Sequence, residues 1–258
     1  MISWAVVYLG LALLAPLFAV AERREPAERF ERTRRAFRVD LAYWFVTPVV
    51  TGALSRLLVL GIVAAAGLLA GHGTDGPAFL ATRPLATVLS GAPFGLVLAG
   101  ALVVADGLGY ASHRLRHARL LWRLHAVHHG TRELTSLAAA RLHPLDEILD
   151  AILIDVPLLL AGVPLPVVAA LGPIFVLHTL LLHANVAWGF GPLGRVIASP
   201  LFHRRHHARD LPPANYAGVF AFYDVLFGTY AAPEPSPCGI PEGEVPESVL
   251  GQLAYPFR

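Results

Sequence analysis

The chain has 258 residues, 55% of them hydrophobic and 15% charged, and its formal net charge is only +2. That is far more apolar than a water-soluble protein of this size and places the chain in a membrane. All 20 basic residues are arginines that flank apolar runs rather than forming a groove-sized patch with interleaved aromatics, which argues against nucleic-acid binding; the single cysteine, Cys238, excludes an internal disulfide and cysteine-based metal ligation.

Taken in order, residues 2–21 form an apolar run long enough to cross a bilayer. Its Ala19-Val20-Ala21 ending imitates a signal-peptidase site, but no positive charge precedes the run, so a retained span is expected. Arg23, Arg24, Arg29, Arg32, Arg34, Arg35 and Arg38 follow closely, and the positive-inside rule makes this segment cytoplasmic. Residues 41–70 are apolar but interrupted by Pro48 and Arg56. They read as an interfacial or broken helix to about Ser55, then a short crossing over 57–70. GHGTDGP at 71–77 is a turn, and His72 within it is a loop residue rather than a ligand.

Residues 85–110 return to the cytoplasmic side and run into SHRLRHARLLWRLHAVHHG, which carries five of the twelve histidines. His113 and His117 are four apart and share a helix face. His125, His128 and His129 form His-x-x-His-His, whose first member shares a face with each of the others while the adjacent pair diverges by about 100°; such a triplet can serve two metal ions. The pattern returns at His203, His206 and His207. A basic solvated helix face is the ordinary explanation for one histidine, but a repeated triplet beside a four-spaced pair points to metal, and imidazole suits iron, zinc, copper and nickel. No Glu-x-x-His pair accompanies the clusters, which argues against a carboxylate-bridged bundle site. Asp106 is an ionisable group at membrane depth and is expected to accept a hydrogen bond from a ligand imidazole.

His143 sits in a His-Pro element that lacks a haem-attachment pattern. Residues 148–162 and 163–182 are two apolar arms around GVPLP, a helical hairpin that delivers His178 and His183 to the cytoplasmic side. Residues 233–246, rich in Pro, Gly and Glu, read as an exposed terminal loop. The arginines among the histidines, Arg114, Arg116, Arg119, Arg123, Arg204 and Arg205, suit headgroup contact and topology fixing, or recognition of an acidic electron donor or a substrate carboxylate. The fold class expected is all-α: a multi-span helical membrane protein with a cytoplasmic histidine-rich cap. It forms one domain over 1–258, with spans at about 2–21, 41–70 and 85–110, a hairpin at 148–182, and the cap at 111–147 and 184–258.

The segments ASHRLRH, LWRLHAVHHG, RLHPLDE, LLHANV, ASPLFHRRHH and NYAGVFAFYDVLFGTY, spread over 111–230, resemble the membrane-bound fatty acid hydroxylase and sterol desaturase superfamily. The resemblance implies ligands at His113, His117, His125, His128, His129, His183, His203, His206 and His207. His178, five residues before His183, is either a tenth ligand or a core histidine. His143, Asn185 and Asp224 are implied as supporting groups beside Asp106, with no catalytic residue beyond the metal centre. The implied cofactors are two iron ions, for which zinc can substitute, with dioxygen as co-substrate. The implied activity is hydroxylation, or desaturation, of a lipid C–H bond. No G-x-G-x-x-G fingerprint follows a strand pattern, so electrons come from a separate ferredoxin, cytochrome or reductase. The competing reading is a histidine-rich metal transporter or sensor, or a zinc-bound relative without oxygenase activity. An arginine-only, alanine-rich composition suggests a GC-rich bacterial source and hence the plasma membrane.

Overall fold

The computed structural model describes residues 4–241 and 244–258, with side chains described from residue 8 onward. Among these residues the regular structure is helical, with no strand beyond one isolated bridge between Ala208 and Cys238. The first helix, α1 (Trp4–Arg24), turns Leu9, Leu13 and Leu17 outward at four-residue spacing, as expected of a helix facing lipid. The expected first span began at Ile2, which lies outside the described residues.

α2 (Arg34–Phe45) starts at Thr33, whose hydroxyl accepts from Ala36 N at 3.1 Å. The expected break near Ser55 is not there. Pro48, which has no N–H to give, is absorbed by one π-helical turn over Val46–Thr51, and the helix continues as α3 (Gly52–Leu69). The helical stretch Arg34–Leu69 is therefore 36 residues long. It stops at Gly71 (φ 81°), where His72 N donates to Gly67 O at 2.8 Å and Gly71 N to Leu68 O at 3.1 Å, the paired bonds of a left-handed C-terminal cap.

Two short helices follow, α4 (Gly76–Ala81) and α5 (Ala86–Ser90). The next span was expected from residue 85, but Gly91-Ala92-Pro93 breaks the helix and α6 runs Phe94–Arg116. α7 (Trp122–His129) carries the first triplet. The hairpin is built from α8 (Pro144–Asp150), a π turn over Ala151–Asp155, α9 (Val156–Ala161) and α10 (Leu165–His183). Its turn needs Gly162: φ is 103°, and a Cβ there would stand 2.6 Å from Ala86 N. α11 (Pro200–His206), behind a Ser199 cap and closed by His207 as its C-cap, carries the second triplet, and α12 (Phe222–Leu226) and α13 (Val249–Ala254) follow.

Arg34–Leu69, Phe94–Arg116 and Leu165–His183 are each long and apolar enough to cross a membrane, with only 22%, 28% and 22% of their most apolar windows buried inside the protein. Most of their surface is left for lipid, which replaces water as the solvent for apolar side chains. α6 packs against the hairpin through Val97, Ala101 and Ala105, which meet Leu158, Val163, Val167 and Leu171. A second core of Val39, Tyr43, Trp44, Val127, Ala139, Ala140 and Leu180 packs α2 and α10 against α7. Residues 233–246 are not simply an exposed loop: Cys238 and Ile240 are buried, and Gly239 N donates to His207 O at 3.2 Å.

Candidate metal centre

Histidines far apart in the chain converge into two groups. His113, His117, His125, His129 and His206 form one; His128, His183, His203 and His207 form the other, and within each group the ligating atoms lie within 4.8 Å of one another. Adjacent members of one triplet enter different groups, as the rotation of about 100° between neighbouring helical positions requires: His128 and His129 divide, and so do His206 and His207. His117 is half-buried and the other eight are buried.

The hydrogen bonds fix the tautomers. Nδ1 of His113, His128, His183 and His206 donates to the backbone carbonyls of Tyr216 (2.7 Å), Arg141 (3.0 Å), Thr179 (2.9 Å) and Ala214 (2.7 Å). His125 Nδ1 donates to the Asp146 carboxylate at 2.8 Å. A carbonyl or carboxylate can only accept, so each of these rings carries its proton on Nδ1 and leaves Nε2 as a bare lone pair. Nε2 of His113, His117 and His125 is buried with no protein partner. Nε2 of His128 faces Nε2 of His183 at 3.2 Å, and Nε2 of His206 faces that of His129 at 3.1 Å.

At His128 and His183, whose Nδ1 protons are both committed, two lone pairs face each other in a buried site and repel, and protonating one ring is opposed by burial. Burial, helped by neighbouring imidazoles, holds the pKa of His128 and His206 at about 3, and pushes His125, His129, His203 and His207 well below the ordinary imidazole value. A cation that accepts several neutral nitrogens resolves this arrangement, so the donor set fits a divalent metal in each group.

The remaining predicted residues fall outside both groups. His178 lies five residues from His183, about 140° round the helix, and interacts with the backbone of Ala198. His143 caps α8: its Nδ1 accepts from Leu145 N at 3.2 Å and its Nε2 donates to Leu253 O at 3.1 Å. Asp106 does not take the expected imidazole hydrogen bond; its carboxylate accepts from Val219 N and Phe220 N, both at 2.7 Å. Asp224 accepts from Tyr216 N and Ala217 N at 2.8 Å and from the Thr229 hydroxyl at 2.6 Å. Asn185 Oδ1 accepts from Glu28 N at 3.0 Å and from Arg204 at 2.8 Å. His72 is exposed at its turn.

Three of the six arginines do not face headgroups. Arg204 is 1% exposed and donates to Glu28, Asn185 and Leu134 O. Arg205 donates to Pro212 O. Arg116 lies between Asp146 (3.3 Å) and Asp150 (3.0 Å), whose carboxylate also accepts from Ser112 at 2.7 Å. Arg114, Arg119 and Arg123 are exposed. The carboxylate that the sequence reading missed is Asp146, fully buried against His125. A second is Asp40, which pairs with the guanidinium of Arg141, the residue whose carbonyl holds His128. The signal for Asp146 was the RLHPLDE segment itself, where the proline after His143 starts α8 and puts an acidic residue in its first turn.

Paired polyhistidine groups at the ends of membrane-length helices define a class: helical membrane proteins with a centre able to hold metal. A family model described as fatty acid hydroxylase matches residues 98–229, about half of the chain, and the chain belongs to that family. It is 38% identical over 161 residues to the ornithine lipid hydroxylase OlsE of Rhizobium tropici, covering 60% of this chain and 49% of that protein. It is 32% identical over 126 residues to the alkylglycerol monooxygenase of Homo sapiens, covering 48% of this chain and 28% of that protein. The enzyme of the same name from Danio rerio is 31% identical over 125 residues. The chain thus spans about half or less of the length of these relatives. No solved structure shows significant similarity.

Proposed function

We propose that this protein is a membrane-bound di-iron oxygenase that hydroxylates an unactivated C–H bond of a lipid. The observation that carries the reading is the pair of buried histidine groups, in one of which the bare Nε2 atoms of His128 and His183 face each other. The relatives named as an ornithine lipid hydroxylase and an alkylglycerol monooxygenase support a polar membrane lipid as substrate and hydroxylation over desaturation. Insertion of one oxygen atom of O2, with the other leaving as water, consumes two electrons and two protons, and we assign the electrons to a separate ferredoxin, cytochrome or reductase. Bound iron would supply dioxygen activation.

The protein's own groups supply the geometry. His113, His117, His125, His129 and His206 would hold one ion and His128, His183, His203 and His207 the other. Neutral imidazoles leave the four positive charges of two divalent ions uncompensated. Asp146 offsets part of this charge through His125, while Asp106 and Asp224 place two more carboxylates behind the loop that touches His113 and His206. The backbone carbonyls and Asp146 hold the rings in the ligating tautomer.

We also read 1–258 as one membrane-integrated unit with its site on the cytoplasmic face of a bacterial plasma membrane. Arg204 reaches Glu28, and Asn185 hydrogen-bonds the backbone of the same residue, so the arginine-rich segment lies on the side of the histidines. Excess arginine marks the cytoplasmic side.

The test is turnover by the full chain, purified in detergent, loaded with ferrous iron and supplied with a reductase system, bacterial lipid extract and labelled dioxygen. A lipid product gaining one labelled oxygen is expected. Oxygen uptake with no oxidised lipid, or a hydroxylated lipid whose new oxygen carries no label, overturns the reading.

A further inference from the structure

Asp106 and Asp224 touch no histidine, yet both grip the loop over residues 214–220. Asp106 is 2% exposed on α6, seven residues before His113 and hence on the same helix face. It accepts from Val219 N and Phe220 N; Asp224, fully buried, accepts from Tyr216 N and Ala217 N. Gly218 permits the first of these contacts, because a Cβ there would stand 2.8 Å from Asp106 Oδ1. Asn215, held at φ 61°, adds a third anchor: its side chain donates to Phe202 O and accepts from Ala231 N.

What the loop then offers goes to one group only. Ala214 O takes His206 Nδ1, and Tyr216 O takes His113 Nδ1, both at 2.7 Å. The Tyr216 ring stands edge-on to His113, His117 and His206, with centroids 5.9, 5.1 and 5.5 Å away. Three of the five rings in that group therefore take their orientation from residues 214–216. The four-histidine group is held elsewhere, His128 by Arg141 O and His183 by Thr179 O.

Resting on the reading that each group holds a metal, we propose that Asp106 and Asp224 are positioning residues for the five-histidine position alone, acting through the backbone of residues 214–220. Supporting partners of metal ligands change affinity by about 10–100-fold when lost, and here the loss falls on one of two ions. In Asp106→Asn one carboxylate oxygen becomes an NH2 group that faces a backbone N–H, so one of the two hydrogen bonds is replaced by donor against donor.

The experiment is a titration of the full-length, detergent-solubilised apoprotein with cobalt(II), read by its ligand-field absorption and by equilibrium dialysis. Wild type is expected to take up two equivalents. Asp106→Asn and Asp224→Asn are expected to weaken one equivalent about 10–100-fold and leave the other within about twofold. Their double variant should weaken the same equivalent less than the two effects multiplied, since both act on one loop. Gly218→Ala, which keeps both carboxylates, should affect the same equivalent and covers the case in which an Asn variant fails to fold. His183→Ala should weaken the opposite equivalent. Loss of both equivalents together, or of neither, in the folded Asp variants or in Gly218→Ala overturns the proposal. A wild type that binds no metal overturns instead the reading on which it rests.

Discussion

His128 and His183 meet Nε2 to Nε2 at 3.2 Å, and each has already committed its Nδ1 proton to a backbone carbonyl. Neither ring has a proton to offer the other. The contact is unfavourable in the neutral metal-free protein and becomes favourable when a cation accepts both nitrogens.

Metal removal is therefore expected to destabilise the protein. Ligands that bind only the folded state stabilise it in proportion to the logarithm of their concentration over Kd. Dialysis against a chelator should lower the melting temperature, and ferrous iron or zinc should restore it. Turnover should return with iron alone. Melting temperatures that do not respond to either metal would contradict the assignment.

Removing single ligands separates the two groups. His128→Ala and His206→Ala are each predicted to abolish turnover and reduce bound metal, whereas His72→Ala, at its exposed turn, should do neither. Metal content by elemental analysis and product formation are the readouts; equal activity in all three variants refutes the site.

Asp146→Asn tests the carboxylate that, among the described residues, hydrogen-bonds a ring of the histidine groups, that of His125. Its loss is predicted to reduce metal affinity about 10–100-fold, while Arg116 keeps Asp150 as a partner, so the variant should still fold. Wild-type affinity would show that the His125 contact does not tune the site.

The pH dependence has a definite sign. His128 and His206 titrate at about 3 in the folded protein against the ordinary 6.5, because burial disfavours their charged forms. Between those values the unfolded chain binds more protons than the folded one. Stability contributed by the neutral rings is thus fully present above about pH 6.5 and is lost as pH falls toward about 3. Thermal unfolding of apoprotein at a series of pH values should show a falling melting temperature below neutrality, with metal-loaded protein shifted to lower pH. A flat profile would contradict the neutral assignment.

Arg204→Ala should cost on the order of 3 kcal/mol, because it leaves Leu134 O without its donor and Glu28 without its cation, while Asn185 Oδ1 keeps only Glu28 N. Chemical denaturation in mixed micelles measures it. A change below about 0.5 kcal/mol, typical of surface substitutions, would mean that these contacts carry little stability.

Much of this was legible in the sequence. Apolar runs marked the membrane-length helices, and the spacing of His125, His128 and His129 already contained their division between two sites. The break expected near Ser55 is absent because a π turn absorbs the N–H that Pro48 lacks without ending the helix. Asp106 was recognised as special but given the wrong partner: which donor reaches a buried carboxylate is set by a loop 113 residues away. Asp146 was missed for a similar reason, since only the packing of α8 against α7 brings it to His125. The buried arginines looked like surface charges because Arg204 finds Glu28 at a separation of 176 residues.

That long-range pair ties insertion to maturation. Glu28 lies amid the arginines that, in the proposed orientation, tell the insertion machinery which end stays inside, and Arg204 needs it next door to His203. A molecule threaded backwards at its first helix would leave the buried Arg204 without its carboxylate, so correct insertion of the first helix is a condition for completing the packing around His203.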